Sequence, residues 1–182
     1  MQIKKAKLAG LQLIIPDIYR DERGFFLESY REELYVKEGI GRFVQDNISY
    51  SKQNTLRGLH FQSDPGQAKL VSCLQGKIWD VAVDVRPHSP TFLQWEAFIL
   101  EDQTQMQLYI PVGFAHGFCT LSSDARVAYK VSSPYNPKTE RSIRWNDPEL
   151  AISWPIQHPL LSPRDQMSPY FQELRDVVDH RK

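Results

Sequence analysis

The chain is predicted to fold as an all-β sandwich or barrel with only a few short helices. Short runs of β-branched and aromatic residues recur along its 182 residues, and clusters of Gly, Pro, Asn, Asp and Ser separate them. The longest run also alternates in polarity. From Trp79 to Arg86 one face carries Trp79, Val81, Val83 and Val85, while the other carries Asp80, Ala82, Asp84 and Arg86. The first face packs, and period alone leaves open whether the polar face meets solvent or a barrel lumen.

Taken in order, strands are expected at Leu11 to Ile15, Arg42 to Ile48, Leu56 to Phe61, Lys69 to Leu74, Lys77 to Arg86 and Trp95 to Leu100. Three more follow at Gln107 to Ile110, Gly117 to Leu121 and Arg126 to Val131. Helix is scarce. Ser29 is a candidate cap for a short segment ending at Tyr35-Val36-Lys37, with Glu32 and Glu33 near its start and Gly39 stopping it. A second helical candidate spans Pro169 to Val178. No internal repeat or low-complexity segment interrupts the pattern.

A chain that is 41% hydrophobic and 12% aromatic can bury one sizeable core, so residues 1–182 are expected to form a single domain. Lysine plus arginine equal aspartate plus glutamate, 22 against 22, which leaves no global footprint for nucleic acid or an anionic membrane. Any phosphate site must be a local cluster. The N-terminus has basic residues without an apolar core, and no run approaches the ~18 apolar residues of a membrane span, so a soluble cytoplasmic protein is expected. Cys73 and Cys119 lie in apolar surroundings outside any Cys-x-x-Cys and read as buried reduced thiols.

Four groups of residues carry candidate chemistry. In Leu56-Arg57-Gly58-Leu59-His60-Phe61-Gln62 a possible base lies three residues after a possible anion clamp, and Lys69 follows within the next strand. A lysine beside Leu70 and Val71 must reach water or hold its charge against a partner such as Asp80 or Asp84. Together they would suit proton abstraction beside a carbonyl on a phosphorylated substrate. Residues 57 and 60 point to opposite faces of a regular strand, so a bulge at Gly58 is needed to unite them. The second group, Pro111-Val112-Gly113-Phe114-Ala115-His116, has a Pro-x-Gly-x-x-His spacing that resembles the second signature of the cupin superfamily, in which a hairpin delivers the histidine into a barrel mouth. Metal-binding cupins add a His-x-His and a glutamate. This chain has no His-x-His, so the site reads as metal-free and His116 as a substrate or structural contact.

The third group, Arg20 to Glu28, offers what a nucleoside diphosphate needs: guanidinium groups for phosphate, aromatic rings to stack on a base, and a carboxylate acceptor. Gln45 and Asn47 add amides. The fourth is Tyr129, on the strand face of Val127 and Val131, which becomes a proton donor only opposite a base across a shared cavity.

These residues carry a resemblance. Arg23-Gly24-Phe25-Phe26 with Glu28, Gln45-Asp46-Asn47 with Ser49, Leu56 to Gln62, Lys69-Leu70-Val71 and Asp80 to Asp84 occur in order. Ser89-Pro90-Thr91-Phe92, Ile110 to Phe118, Tyr129-Lys130 and Ile143 with Trp145-Asn146-Asp147 follow them. Across roughly the first 170 residues the chain resembles the dTDP-4-dehydrorhamnose 3,5-epimerase family, cupin-fold enzymes of dTDP-L-rhamnose synthesis. The resemblance implies a cupin-type jelly-roll β-barrel and a dTDP-sugar substrate. It implies His60 as general base, Asp165 as the carboxylate orienting it, Lys69 as stabiliser of an enolate oxygen, and Tyr129 as proton donor on the other face. Arg23, Phe26, Glu28, Gln45, Asn47, Arg57, His116, Glu140 and Arg164 fall at positions resembling substrate contacts. Many members carry lysine where this chain has Arg164. The family is typically a homodimer whose N-terminal strands extend the partner's sheet. No metal or redox cofactor is implied, because the substrate ketone is its own electron sink. Three other readings remain open to the sequence: an epimerase acting only at C3 or only at C5, a metal-dependent cupin dioxygenase, and a non-catalytic sugar-nucleotide binding module.

Overall fold

The computed structural model describes residues 1–176, in which two antiparallel sheets face one another. The first has six strands in the order β1 (Gln2–Lys5), β2 (Gln12–Ile15), β10 (Gln107–Ile110), β7 (Lys69–Gln75), β12 (Asp124–Val131) and β5 (Gln45–Lys52). The second has five, in the order β13 (Glu140–Ser142), β6 (Leu56–Gln62), β11 (Phe114–Thr120), β8 (Lys77–Asp84) and β9 (Trp95–Glu101). A separate hairpin pairs β3 (Tyr19–Asp21) with β4 (Gly24–Phe26). Two stacked sheets whose neighbours are mostly distant in sequence make the jelly roll expected of the chain.

Three buried clusters explain why the sheets stack. Val71, Cys73, Ala82, Leu100, Leu108, Phe118 and Val127 fill the space between the two sheets. Leu59, Phe61, Val81, Val83 and Val85 lie on the outer face of the five-stranded sheet, where Ile143, Leu150, Phe171 and Leu174 cover them. Ile14, Leu70 and Tyr109 back the six-stranded sheet under Tyr35 and Ile40. Both faces of β8 are therefore buried. Its apolar face packs beneath the C-terminal segment, and its polar face turns inward, with Asp80 and Asp84 at 0% exposure. The open choice between solvent and lumen resolves as lumen.

Several boundaries move for identifiable reasons. The strand expected from Arg42 begins at Gln45, because Phe43 packs its ring against Tyr30 and Tyr109 at 5.5 and 6.5 Å. β8 stops at Asp84, whose carboxylate accepts from the Arg86 N–H and guanidinium and from the Ser89 and Thr91 hydroxyls, turning the chain back. The Pro111 to Gly113 turn does not close a hairpin, since β10 and β11 belong to different sheets and the turn crosses between them. β1, β3, β4 and β13 are three or four residues long and too short to show a period.

Helix α1 (Glu32–Lys37) ends near Gly39 as expected, with φ +80° at that glycine, but its N-cap is Arg31, without a side-chain bond. Ser29 does not cap. Its carbonyl instead accepts from Tyr35 Oη at 3.2 Å and Gln107 Nε2 at 2.8 Å. Helix α2 (Pro163–Gln166) was not expected; Ser162 caps it by accepting from the Asp165 N–H at 3.1 Å. Where Pro169 to Val178 was expected to be helical, a 3₁₀ turn spans Phe171–Leu174, and the end of that segment lies outside the described residues.

Candidate active site

The site begins with an irregularity in β6. His60 pairs with His116 of β11 and Arg57 pairs with Phe118, so Gly58 and Leu59 together oppose Gly117 alone. This is the bulge needed to bring residues 57 and 60 to one side. Only glycine fits there: φ is +123° at Gly58, and a Cβ would lie 2.6 Å from the Gly117 Cα.

Arg57 and His60 open into a cavity of about 370 Å³ between the sheets, a volume suited to a small ligand. The five-stranded sheet supplies Arg57, His60, His116 and Glu140 to its wall. The six-stranded sheet supplies Asn47, Ser49, Lys69 and Tyr129 from the opposite side. Ser162, Arg164 and Asp165 close it at α2. A histidine and a tyrosine thus reach one volume from facing sheets.

Each polar group is held by a partner. His60 Nε2 lies 2.6 Å from Asp165 Oδ1, and Asp165 is only 3% exposed. Burial pushes the Asp165 carboxyl up, but the hydrogen bond and charge of His60, with Ser162 and Arg164, outweigh it and hold it below the usual carboxylate range. Lys69 Nζ donates to the His60 carbonyl at 3.3 Å. Burial pushes the Lys69 ammonium down to about 8, with Glu140 and Asp80 pulling the other way. Asp80 is thus one of the two expected partners; Asp84 is not, its oxygens being taken up by Arg86, Ser89 and Thr91.

Burial raises the Tyr129 phenol well above its ordinary range, so it stays protonated near neutrality, and its hydroxyl lies 2.9 Å from Ser49 Oγ. His116 is buried rather than placed at a mouth. Its Nε2 meets both Asp80 oxygens at 2.9 and 3.0 Å, and burial still pushes its imidazolium down against the pull of Asp80. Arg57 is braced by Ser51 Oγ and the Tyr50 carbonyl, both at 3.0 Å. Arg164 pairs with Glu140 at 2.7 Å, and Tyr135 Oη donates to the same carboxylate at 2.8 Å.

Four expected contacts lie elsewhere. Gln45 lies outside the cavity lining, donating to Asn47 Oδ1 at 2.9 Å and accepting from the Tyr135 N–H at 3.1 Å. Arg23 and Phe26 sit on or beside the β3–β4 hairpin and Glu28 just after it; Arg23 pairs with Asp21, Glu28 pairs with Arg31, and Phe26 is 67% exposed. Sequence reasoning assigned no role to Ser49, Gln67, Tyr135 and Ser162, which also line the cavity. Ser49 carried a signal, since it follows Asn47 by the strand period of two. Tyr135 carried none, lying in a connection after β12. Among the described residues no group of three or more His, Cys, Asp or Glu is arranged to hold a metal ion, and no helix is long and apolar enough to cross a membrane.

The family model described as dTDP-4-dehydrorhamnose 3,5-epimerase matches residues 5–173. The chain belongs to this epimerase family. A dTDP-4-dehydrorhamnose 3,5-epimerase of Salmonella typhimurium is 47% identical over 178 residues, covering 95% of this chain and 97% of the relative. A crystal structure of the dTDP-6-deoxy-D-glucose-3,5-epimerase of Legionella pneumophila in complex with dTDP-4-keto-L-rhamnose superposes with a TM-score of 0.94 at 47% identity, covering 97% of this chain and 96% of that one. A dTDP-4-dehydrorhamnose 3-epimerase of Streptomyces niveus is 42% identical over 181 residues, covering 97% of this chain and 87% of the relative. Within the epimerase family, then, relatives of both specificities align along nearly the whole chain. Chemically, the cavity offers a carboxylate-backed imidazole on one wall and a protonated phenol with an ammonium on the other.

Proposed function

We propose that the chain inverts C3 and C5 of dTDP-4-keto-6-deoxy-D-glucose, giving dTDP-4-keto-L-rhamnose. The observation that carries this reading is the approach of His60 with Asp165 and of Tyr129 with Lys69 to one cavity from facing sheets. Inverting a carbon beside a ketone takes a proton from one face and returns one to the other, so two acid–base groups must flank the sugar. His60, oriented by Asp165, removes the proton next to the C4 carbonyl. The electron pair moves onto the carbonyl oxygen, where the Lys69 ammonium holds the enolate charge. Tyr129 then delivers its proton to the opposite face and recovers one from solvent. Repetition at the second carbon completes the double inversion.

Arg57 and Arg164 supply cations for the diphosphate, Asn47 and His116 supply polar contacts, and Glu140 sits between Arg164 and the exposed ring of Tyr135. We infer further that the protein acts in the cytoplasm as a single-domain homodimer in which Arg23, Phe26 and Glu28 serve the partner subunit's site. In support, their hairpin lies apart from this chain's own cavity and exposes Tyr19 at 65% and Phe26 at 67%. The 42% identity to a 3-epimerase supports a second reading, inversion at C3 alone.

The deciding experiment incubates the protein, with a chelator present, with dTDP-4-keto-6-deoxy-D-glucose in D₂O and follows C3 and C5 by NMR. Deuterium at both carbons with the L-lyxo product is expected. Label at C3 alone selects the single-position enzyme, and binding without label makes the protein a sugar-nucleotide binding module.

A further inference from the structure

We propose that Arg144, which lies outside the cavity, is the positioning residue for the Asp165–His60 pair; the inference rests on His60 being the base. The two members of the pair are 105 residues apart in the chain and meet at 2.6 Å. Asp165 sits on α2, which is one turn long, and so short a helix neither holds itself nor satisfies its own trailing carbonyls. Ser162 fixes the front of that turn. Arg144 fixes the back.

Its guanidinium spans two carbonyls, with Nη2 donating to Gln166 O at 3.1 Å and Nε to Ser168 O at 2.9 Å. Its backbone N–H donates to Pro169 O at 2.8 Å, and its Cζ lies 4.7 Å over the ring of Tyr170. The residues beside it grip the other half of the pair. Ser142 is the strand partner of His60, and Ile143 exchanges backbone bonds of 2.9 and 3.1 Å with Leu59. Further along, Asp147 Oδ2 accepts from the Phe171 N–H at 2.6 Å. Residues 142–147 are therefore a brace with one end on the strand of His60 and the other on the segment of Asp165. The length of this brace sets how close the carboxylate stands to the imidazole. A planar fork can span two carbonyls in fixed geometry, which a lysine ammonium cannot reproduce. Displacements of about 1 Å at a reacting group can cost on the order of 10²-fold in rate, so a remote clamp has a kinetic signature.

The test compares Arg144→Met and Arg144→Lys with the unaltered protein at temperatures well below unfolding. In the free protein, the His60 ring proton shared with Asp165 should give a downfield NMR signal, assigned by its loss in Asp165→Asn. Arg144→Met should broaden or abolish that signal and lower kcat by roughly tenfold or more with KM within about twofold, while Arg144→Lys falls between. On an Asp165→Asn background, Arg144→Met should cost nothing further. Retention of the signal and of kcat in Arg144→Met would overturn the proposal. So would an equal loss on the Asp165→Asn background, which marks general damage. If Arg144→Met does not fold, Arg144→Lys decides by the same signal and the same cycle. If the unaltered protein exchanges no keto-sugar proton, the proposed function falls, and the His60 signal still decides the role of Arg144.

Discussion

Lys69 is a cation that burial holds close to neutrality. Below about pH 8 its ammonium persists and can meet an enolate; above it the charge is lost, so kcat/KM should fall as pH rises through that value. Lys69→Met should remove that basic limb and cost roughly 10² to 10³ in rate. The sign for stability is opposite. With the unfolded lysine titrating near 10.5, the unfolded chain binds more protons between about 8 and 10.5, and the burial penalty is relieved as pH rises across that window. Asp165 behaves as a depressed carboxyl: its contribution is present above the ordinary value of 3.8 and lost as pH falls through its lower folded value. The proposed acid and base separate by substitution. His60→Ala should abolish deuterium exchange at both carbons, whereas Tyr129→Phe should spare some exchange yet block completed inversion. Near-normal turnover in both variants would remove the assigned roles.

The bulge in β6 is the element on which the site turns. Gly58→Ala adds a Cβ within 2.6 Å of the Gly117 Cα at a positive φ, and should destabilise the fold by about 2–3 kcal/mol in urea titration while lowering activity out of proportion. The need for that bulge was legible, because Arg57 and His60 have the wrong parity for one face. The alternation of β8 was legible too, but not which side its carboxylates faced, since a polar lumen and solvent leave the same period. Phe171 shows what was hidden. It is fully buried beneath the five-stranded sheet, yet a helix expected over Pro169 to Val178 did not say which surface its ring would cover. Phe171→Ala should cost about 3–5 kcal/mol by thermal or urea unfolding. Helix α2 did carry a start signal, Ser162 followed by Pro163, but four residues give a helical period nothing to repeat over.

At the scale of the molecule, the dimer proposal has a sharp consequence. If the hairpin serves the partner subunit, a His60→Ala chain and an Arg23→Ala chain are each inactive alone, and mixing them after unfolding should restore turnover, since one site of each hybrid is intact. Activity that stays flat on mixing would assign Arg23 to its own subunit or to none. The stretch from Arg20 to Glu28 had the residue types a nucleoside diphosphate needs, but nothing in one chain's pattern says which copy a hairpin reaches. The strands around the cavity are complete by Ser142, while the carboxylate that bonds His60 arrives at Asp165, 105 residues after it. The barrel can thus acquire its shape before it acquires its chemistry. During refolding, far-ultraviolet signals should return first and turnover later, making catalysis a clock for the docking of the last segment rather than for the formation of the sheets.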